Sequence, residues 1–479
     1  MRYRKIMALS LAAIMLAAGF TACGSDSTDA ASTDKVVLRI ANCEEYIDEG
    51  EWDEEEDLIE LSDGTEIFGE NALYDDFAEW YEDTYGVEVE VEYSTYGTNE
   101  DLYNQLTIGD VYDLVCPSEY MIMKMMREDL LVPYSEDFFD TSVEENYYAR
   151  GLSPYISSMF DSLEINGESI GKYAGGYMWG TLGIVYNPEA ISAEDASHWN
   201  VILNDDYYRR LTIKDSVRDA YFAALAMYNY DEITAEDFVN AADYADRLSD
   251  ALNRTDAETV AGVEDILTQA KNNVYAFETD SGKADLVSGK IFASEQWSGD
   301  AVFTMDQAEE DGVELCYSAP AEGTNIWFDG WVMLKSGLSQ DPRKQQVAEA
   351  FINYISKPEN AIRNMYYIGY TSVITGGDSD LIFDYVNWCY AAEDEEEDTI
   401  EYNNIGYFFE DDSEEANEKY TIVTTADQAN RQLYTQYPPK DVVDRGVVMR
   451  CFDDEDNQRI NRSWINVRCF DLKSLVGAD

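Results

Sequence analysis

The chain has 479 residues, 45% apolar and 13% aromatic, enough to bury a core of two or three domains or two lobes and too rich in rings for disorder throughout. It carries 98 Asp and Glu against 32 Lys and Arg, a formal charge of -66, which excludes nucleic acid as a partner because a polyanion releases no counterions from a phosphate backbone. An acidic field draws cations, although keeping an exported protein soluble explains the same charge.

The first elements concern location. Arg2, Arg4 and Lys5 precede an apolar stretch from Ile6 to Phe20, about signal-peptide length and short for a membrane span. It ends in Phe20-Thr21-Ala22-Cys23-Gly24. Small residues before a cysteine resemble the lipobox of bacterial lipoproteins, in which the cysteine thiol carries a diacylglyceryl group and becomes the N-terminus. Phe20 departs from the aliphatic residue usual at its place. Residues 1–23 are thus expected to be a lipoprotein signal with lipid on Cys23, and 24–35 a Ser/Thr/Asp-rich flexible tether. No later run of eighteen apolar residues occurs, so the body is expected outside the membrane, lipid-anchored at the outer face of the cytoplasmic membrane or periplasmic.

Next comes an α/β rhythm. Lys35–Ala41 reads as a strand, and Asp48–Glu70 as an acidic insertion. Leu73, Phe77, Trp80 and Tyr81 share one helical face, stopped by Gly86. Val87–Tyr93 alternates as a half-exposed strand does, Thr98 caps a helix to about Thr107, and Val111–Cys116 reads as a buried strand before a helix capped by Ser118 and running to Arg127. Strand and helix in this order imply a mainly parallel sheet flanked by helices. Residues 181–329 repeat the pattern, with helices near 216–229, 235–251 and 258–272 and strands near 211–214, 290–296 and 314–318. Trp331–Leu334 begins a return strand, followed by a helix over 342–356 and one opened by Pro358. The acidic runs within 391–415 read as solvated loops.

Chemistry-bearing motifs are scarce. The single histidine, His198, excludes multi-His metal centres and reads as structural. Cys43, Cys116, Cys316, Cys389, Cys451 and Cys469 form no CxxC pair, so no metal is implied, and disulfides among them cannot be read from spacing. No Walker loop, GxGxxG, GxSxG or HExxH occurs. Ring-and-carboxylate clusters do recur at strand ends: Glu44-Glu45-Tyr46, Ser118-Glu119-Tyr120, Trp297-Ser-Gly-Asp300 and Trp327-Phe-Asp329. Aromatic faces with carboxylates suit an ammonium ion, and ligands of open α/β sheets bind beyond the strands' carboxyl ends; the same rings also serve as the rim of a core.

Tyr93-Ser-Thr-Tyr-Gly-Thr-Asn-Glu-Asp-Leu-Tyr103, Tyr112-Asp-Leu-Val-Cys-Pro-Ser-Glu-Tyr120, Trp179-Gly180, Trp327-Phe-Asp329 and Ile368-Gly-Tyr370, in this order, resemble the spermidine/putrescine-binding proteins of bacterial ABC importers. Ala350–Ala361 resembles a helix pair of the wider solute-binding family. The resemblance spans roughly 36 to 470. It implies two α/β lobes joined by a hinge: lobe one from 36–180 plus 330–383, lobe two from 181–329 plus 384–479. It implies a monomeric, non-enzymatic receptor without cofactor that closes on its ligand and delivers it to a permease. Motif by motif, it assigns ligand contacts to Glu45, Tyr46, Ser118, Tyr120, Asp219, Trp297, Trp327, Asp329 and Tyr370. Glu44 adds a carboxylate, and Arg450 falls where the family has an amine-binding Gln. Cys43 replaces a family Trp, which loses one aromatic wall, and Ser216 a family Asp, which removes one anionic partner; an Arg at 450 in the cleft would repel an ammonium and points to a shorter or differently charged ligand. A polyamine is the leading cargo; another small organic cation or an amino-acid-like solute is the alternative. A carboxylate-based glycoside hydrolase is the remaining one, needing two carboxyls about 5–10 Å apart.

Overall fold

Parallel strands make the two ends of one continuous sheet, and two long antiparallel strands join them. The computed structural model describes residues 35–393 and 398–469. The expected signal segment with Cys23, and the tether up to residue 34, lie outside the described residues. At one end β1 (Val36–Cys43) runs parallel to β2 (Val89–Tyr96) and to β3 (Leu114–Val115). β4 (Ala174–Tyr186) leaves this end. At the other end β5 (Leu211–Lys214) lies between β6 (Ala276–Glu278) and β7 (Ala293–Trp297), parallel to both. β8 (Thr324–Leu334) returns antiparallel to β4. The strand order along the sheet is β6-β5-β7-β4-β8-β3-β1-β2.

Helix Leu73–Tyr85 forms on the predicted face, burying Leu73, Phe77 and Tyr81, and stops at Gly86 in the left-handed conformation. Thr98 accepts a hydrogen bond from the Asp101 N–H and opens helix Asn99–Ile108. In the second unit the helix expected over 235–251 is two shorter ones, Glu236–Val239 and Tyr244–Ala251.

β4 and β8 are buried along their whole length and pass between two cores. On β4, Trp179 belongs to the first core and Leu182 to the second. The first core is built on Leu38, Ile40, Val115, Ile122, Trp331 and Phe351. The second holds Ile213, Phe222, Leu225, Val263 and Leu267. After residue 384 the chain divides: Tyr385, Tyr390, Tyr402, Phe408, Leu433 and Val443 join the first core, and Val447, Met449, Phe452, Ile460 and Val467 the second.

Both acidic segments are more structured than their composition suggests. In 48–70, Asp48 is buried against Arg363 at 2.7 Å and accepts the Trp52 indole N–H at 3.0 Å, while Ile59, Leu61 and Ile67 join the first core. Within 391–415, Thr399–Tyr402 pairs with Ile422–Thr425, and Tyr402, Ile405, Tyr407, Phe408 and Phe409 are buried. The aromatic run between two acidic runs anchors what composition reads as a solvated loop. The six cysteines are free. His198 Nδ1 lies 3.1 Å from the buried Glu322 carboxylate, a structural contact.

Candidate functional site

Three helices begin where parallel strands end, and their first residues meet at the crossing strands. β3 runs through Pro117 and Ser118 into helix Glu119–Arg127, β5 through Ser216 into Val217–Tyr228, and β7 directly into Ser298–Glu310. Helix N-termini present unpaired N–H groups and favour carboxylates there. Ser216 uses its hydroxyl to cap its own helix, accepting from the Asp219 N–H. Ser118 does not cap: it accepts from Asn99 Nδ2 at 2.9 Å and hydrogen-bonds Asp329.

Asp329 sits on β8 where the register with β4 shifts between Phe328 and Gly330, and its backbone pairs with Ser118. Such irregularities re-aim side chains. Tyr46 Oη donates to its carboxylate at 2.7 Å. The Tyr46 ring packs edge-on against Tyr177 and Tyr370 at 5.4 and 5.1 Å, and Tyr370 against Trp327 at 5.7 Å. Burial pushes the Asp329 carboxyl up to about 6, opposed by the Ser118 and Tyr46 hydroxyls. No cation among the described residues pairs with it. The buried Trp327 indole N–H also has no hydrogen-bond partner among them. Glu119, fully buried beside this group, accepts from the Phe328 N–H at 3.3 Å; burial, then the Asp329 charge, pushes its carboxyl up to about 8. The pair therefore offers one anion near neutral pH. Burial, then the same charge, raises the Cys43 thiol to about 12 and keeps it neutral.

Tyr370 leads to a second group. Its hydroxyl donates to Asp300 Oδ1 at 3.0 Å. Asp300 Oδ2 lies 2.9 Å from Lys214 Nζ, and Lys283 Nζ is 3.5 Å from Oδ1. Lys214 Nζ stands 4.0 Å from the centroid of a Trp297 ring. Burial raises the Asp300 carboxyl, but Lys214 and Lys283 outweigh it and hold the group below its ordinary value. Trp297 Nε1 donates to Asp219 Oδ1 at 3.4 Å, and burial raises that carboxyl. Two glycines permit these approaches. A Cβ on Gly299 would stand 2.2 Å from the Tyr370 ring, and one on Gly180 2.7 Å from Trp327.

Tyr120 lies to one side. Its ring is 4.7 Å from the Arg218 guanidinium and its hydroxyl donates to Glu100 at 3.1 Å. Arg218 also covers Phe452 at 4.1 Å and donates to the Arg450 carbonyl at 2.7 Å.

The structure thus brings Tyr46, Ser118, Trp327, Asp329 and Tyr370 together, links Trp297 and Asp219 to them through Asp300, and sets Tyr120 beside Arg218. Glu44 and Glu45 are exposed on the loop after β1, with Glu45 at a φ of 54°. Arg450 is not brought in: its guanidinium is exposed, 3.0 Å from Ser249 Oγ and 2.8 Å from Asp250. Lys214, Lys283 and Arg218 were missed as site residues. Lys214 is the last residue of a strand, the position that flagged the other clusters, but a search for rings and carboxylates passes over a cation. An open depression in the second unit, lined by Tyr228, Asn229, Glu232 and Arg254, contains none of these residues.

Residues 72–380 match the family described as bacterial extracellular solute-binding protein. The chain is 27% identical over 285 residues to the spermidine/putrescine-binding periplasmic protein of Salmonella typhimurium, covering 59% of this chain and 70% of that one. It is 26% identical over 281 residues to the putrescine-binding periplasmic protein PotF of Escherichia coli, covering 57% and 67%. Among solved structures, it superimposes on the spermidine/putrescine substrate-binding protein PotD of Streptococcus pneumoniae with a TM-score of 0.57 at 22% identity, covering 90% of this chain and 98% of that one. A putative spermidine/putrescine ABC transporter protein from Listeria monocytogenes gives 0.59 at 21% identity, covering 90% and 99%. These neighbours share the fold of two α/β lobes.

Proposed function

Since the chain belongs to the bacterial extracellular solute-binding proteins, we propose that it is the receptor of an ABC importer that captures a polyamine or another small organic cation between its lobes and hands it to a permease. Its relatives are binding proteins rather than enzymes, which sets the hydrolase reading aside. The observation that carries the proposal is Asp329: a buried carboxylate held by two hydroxyls, ringed by Tyr46, Trp327 and Tyr370, and without a cation among the described residues. An ammonium ion supplies the missing charge, gains a cation–π contact and donates three hydrogen bonds. The spermidine and putrescine binders among its relatives make polyamines the first class to test. The lobe division we propose follows the cores, with crossings at 179–182 and between Cys316 and Ile326 and with 385–443 assigned to lobe one. A binding screen of di-, tri- and monoamines against the purified protein tests the reading; an amine panel without a single binder overturns it.

Anchoring through Cys23 belongs to the same proposal, on the strength of the small residues before it and the polar tether after it. Mature protein is expected to follow the detergent in a phase split and Cys23→Ala to stay aqueous. Wild-type protein in the aqueous phase contradicts the anchor.

A further inference from the structure

Two clusters of the same chemistry meet at Tyr370. Among the described residues, Asp329 in the first has the Tyr46 and Ser118 hydroxyls as partners and no cation, and the Trp327 N–H has no acceptor. In the second, the ring of Trp297 and the carboxylate of Asp300, which itself accepts from the Tyr370 hydroxyl, hold an ammonium the protein supplies itself. Lys214 Nζ also donates to the Thr279 carbonyl at 2.9 Å, and its side chain is 2% exposed.

We propose that Lys214 is a tethered ammonium occupying the second of two amine cages, so that the solute this receptor takes carries one ammonium group, bound at Asp329, and not two. The inference rests on the reading that the cleft binds an organic cation. A second ligand ammonium would have to stand against Trp297 and Asp300, where Nζ already is. Turning Lys214 away would strand a buried cation and strip Asp300 of its nearest partner, and breaking a buried pair in this way is strongly destabilising. Lys283, at 3.5 Å, further balances Asp300, so that carboxylate attracts no additional cation. The part of the solute beyond its ammonium faces Lys214 and is neutral or anionic.

Titration calorimetry on the full mature chain with putrescine, 1-butylamine and 4-aminobutanoate tests this, the three probes sharing a four-carbon chain. Wild-type protein is expected to bind one of the single-ammonium probes about tenfold or more tighter than putrescine, since like charges placed side by side are costly. In Lys214→Met, which vacates the cage, the ratio should swing toward putrescine by about a hundredfold, because a repulsion is exchanged for a pairing with Asp300. Lys214→Gln, which removes the charge but keeps a donor toward Asp300 and Thr279, serves if the first variant does not melt cooperatively, and the ratio moves the same way. Wild-type preference for putrescine over both other probes overturns the inference and leaves the amine receptor standing, as does a ratio unmoved in a folded variant. Failure of all three probes to bind wild-type protein overturns the inference, and failure of the di-, tri- and monoamine panel as well overturns both.

Discussion

Asp329 is a carboxylate that the fold holds at a cost. Its pKa of about 6, against an ordinary 3.8, means that the charged form is disfavoured in the folded protein. The penalty is absent below the ordinary value, grows as pH rises through 4 to 6, and is full above that, at most about 3 kcal/mol. Asp329→Asn should therefore raise the unfolding free energy near pH 7.5, with the gain shrinking toward pH 4. An ammonium ligand needs the charged form. Amine affinity should fall about tenfold per unit as pH drops below 6, read by calorimetry from neutral pH downward. A flat profile would remove Asp329 from the grip. At this scale the sequence disclosed more than half of the group. Tyr46, Ser118, Trp327, Asp329 and Tyr370 lie at strand ends or in short motifs whose spacing survives folding. Glu119 was named within a ring-and-carboxylate cluster, but its protonation, like the role of Lys214, was not legible, because a sequence records neither burial nor which charge neutralises which. Arg450 was placed by alignment in a charge-rich stretch, whereas its direction is set by Ser249 and Asp250.

The elements that position the group are the two crossing strands and three helix starts. The crossing strands were only partly legible. Residues 174–186 and 324–334 are buried on both faces, so they lack the period-2 alternation that reveals a half-exposed strand such as β2. Of the two expected caps, Thr98 forms as read, whereas the Ser118 hydroxyl goes to the site instead; the Ser216 cap was not foreseen. One position tests how tightly these elements must approach. A methyl on Gly299 would stand 2.2 Å from the Tyr370 ring, so Gly299→Ala must push the ring away from the Asp300 carboxylate. Overpacking of this kind costs about 1–3 kcal/mol. The urea midpoint should fall at an unchanged slope, and amine affinity with it. An unchanged midpoint would mean the ring relocates freely and does not fix the site.

In the whole molecule, the two α/β units were legible from the strand–helix rhythm, and the course of 385–443 was not, because its aromatic anchors are spread among acidic runs. Contacts already bridge the units: Tyr370 to Asp300, and Tyr120 beneath Arg218. A ligand held by Asp329 adds to them and should favour the closed arrangement. Small-angle scattering should show a smaller radius of gyration with a saturating amine than without; an identical profile at confirmed saturation would contradict closure about β4 and β8.

The central claim is that a buried, cation-free carboxylate grips an ammonium ion. Its most direct test is calorimetric titration of the tightest amine found into wild-type, Trp327→Phe and Asp329→Asn proteins at pH 7.5. Trp327→Phe keeps a ring and should lose less than the 0.5–2 kcal/mol or so that a cation–π contact contributes, while Asp329→Asn should lose about 2–5 kcal/mol because the ammonium is left buried without its partner. Equal affinity in wild-type and Asp329→Asn proteins, with both fully folded, would contradict it.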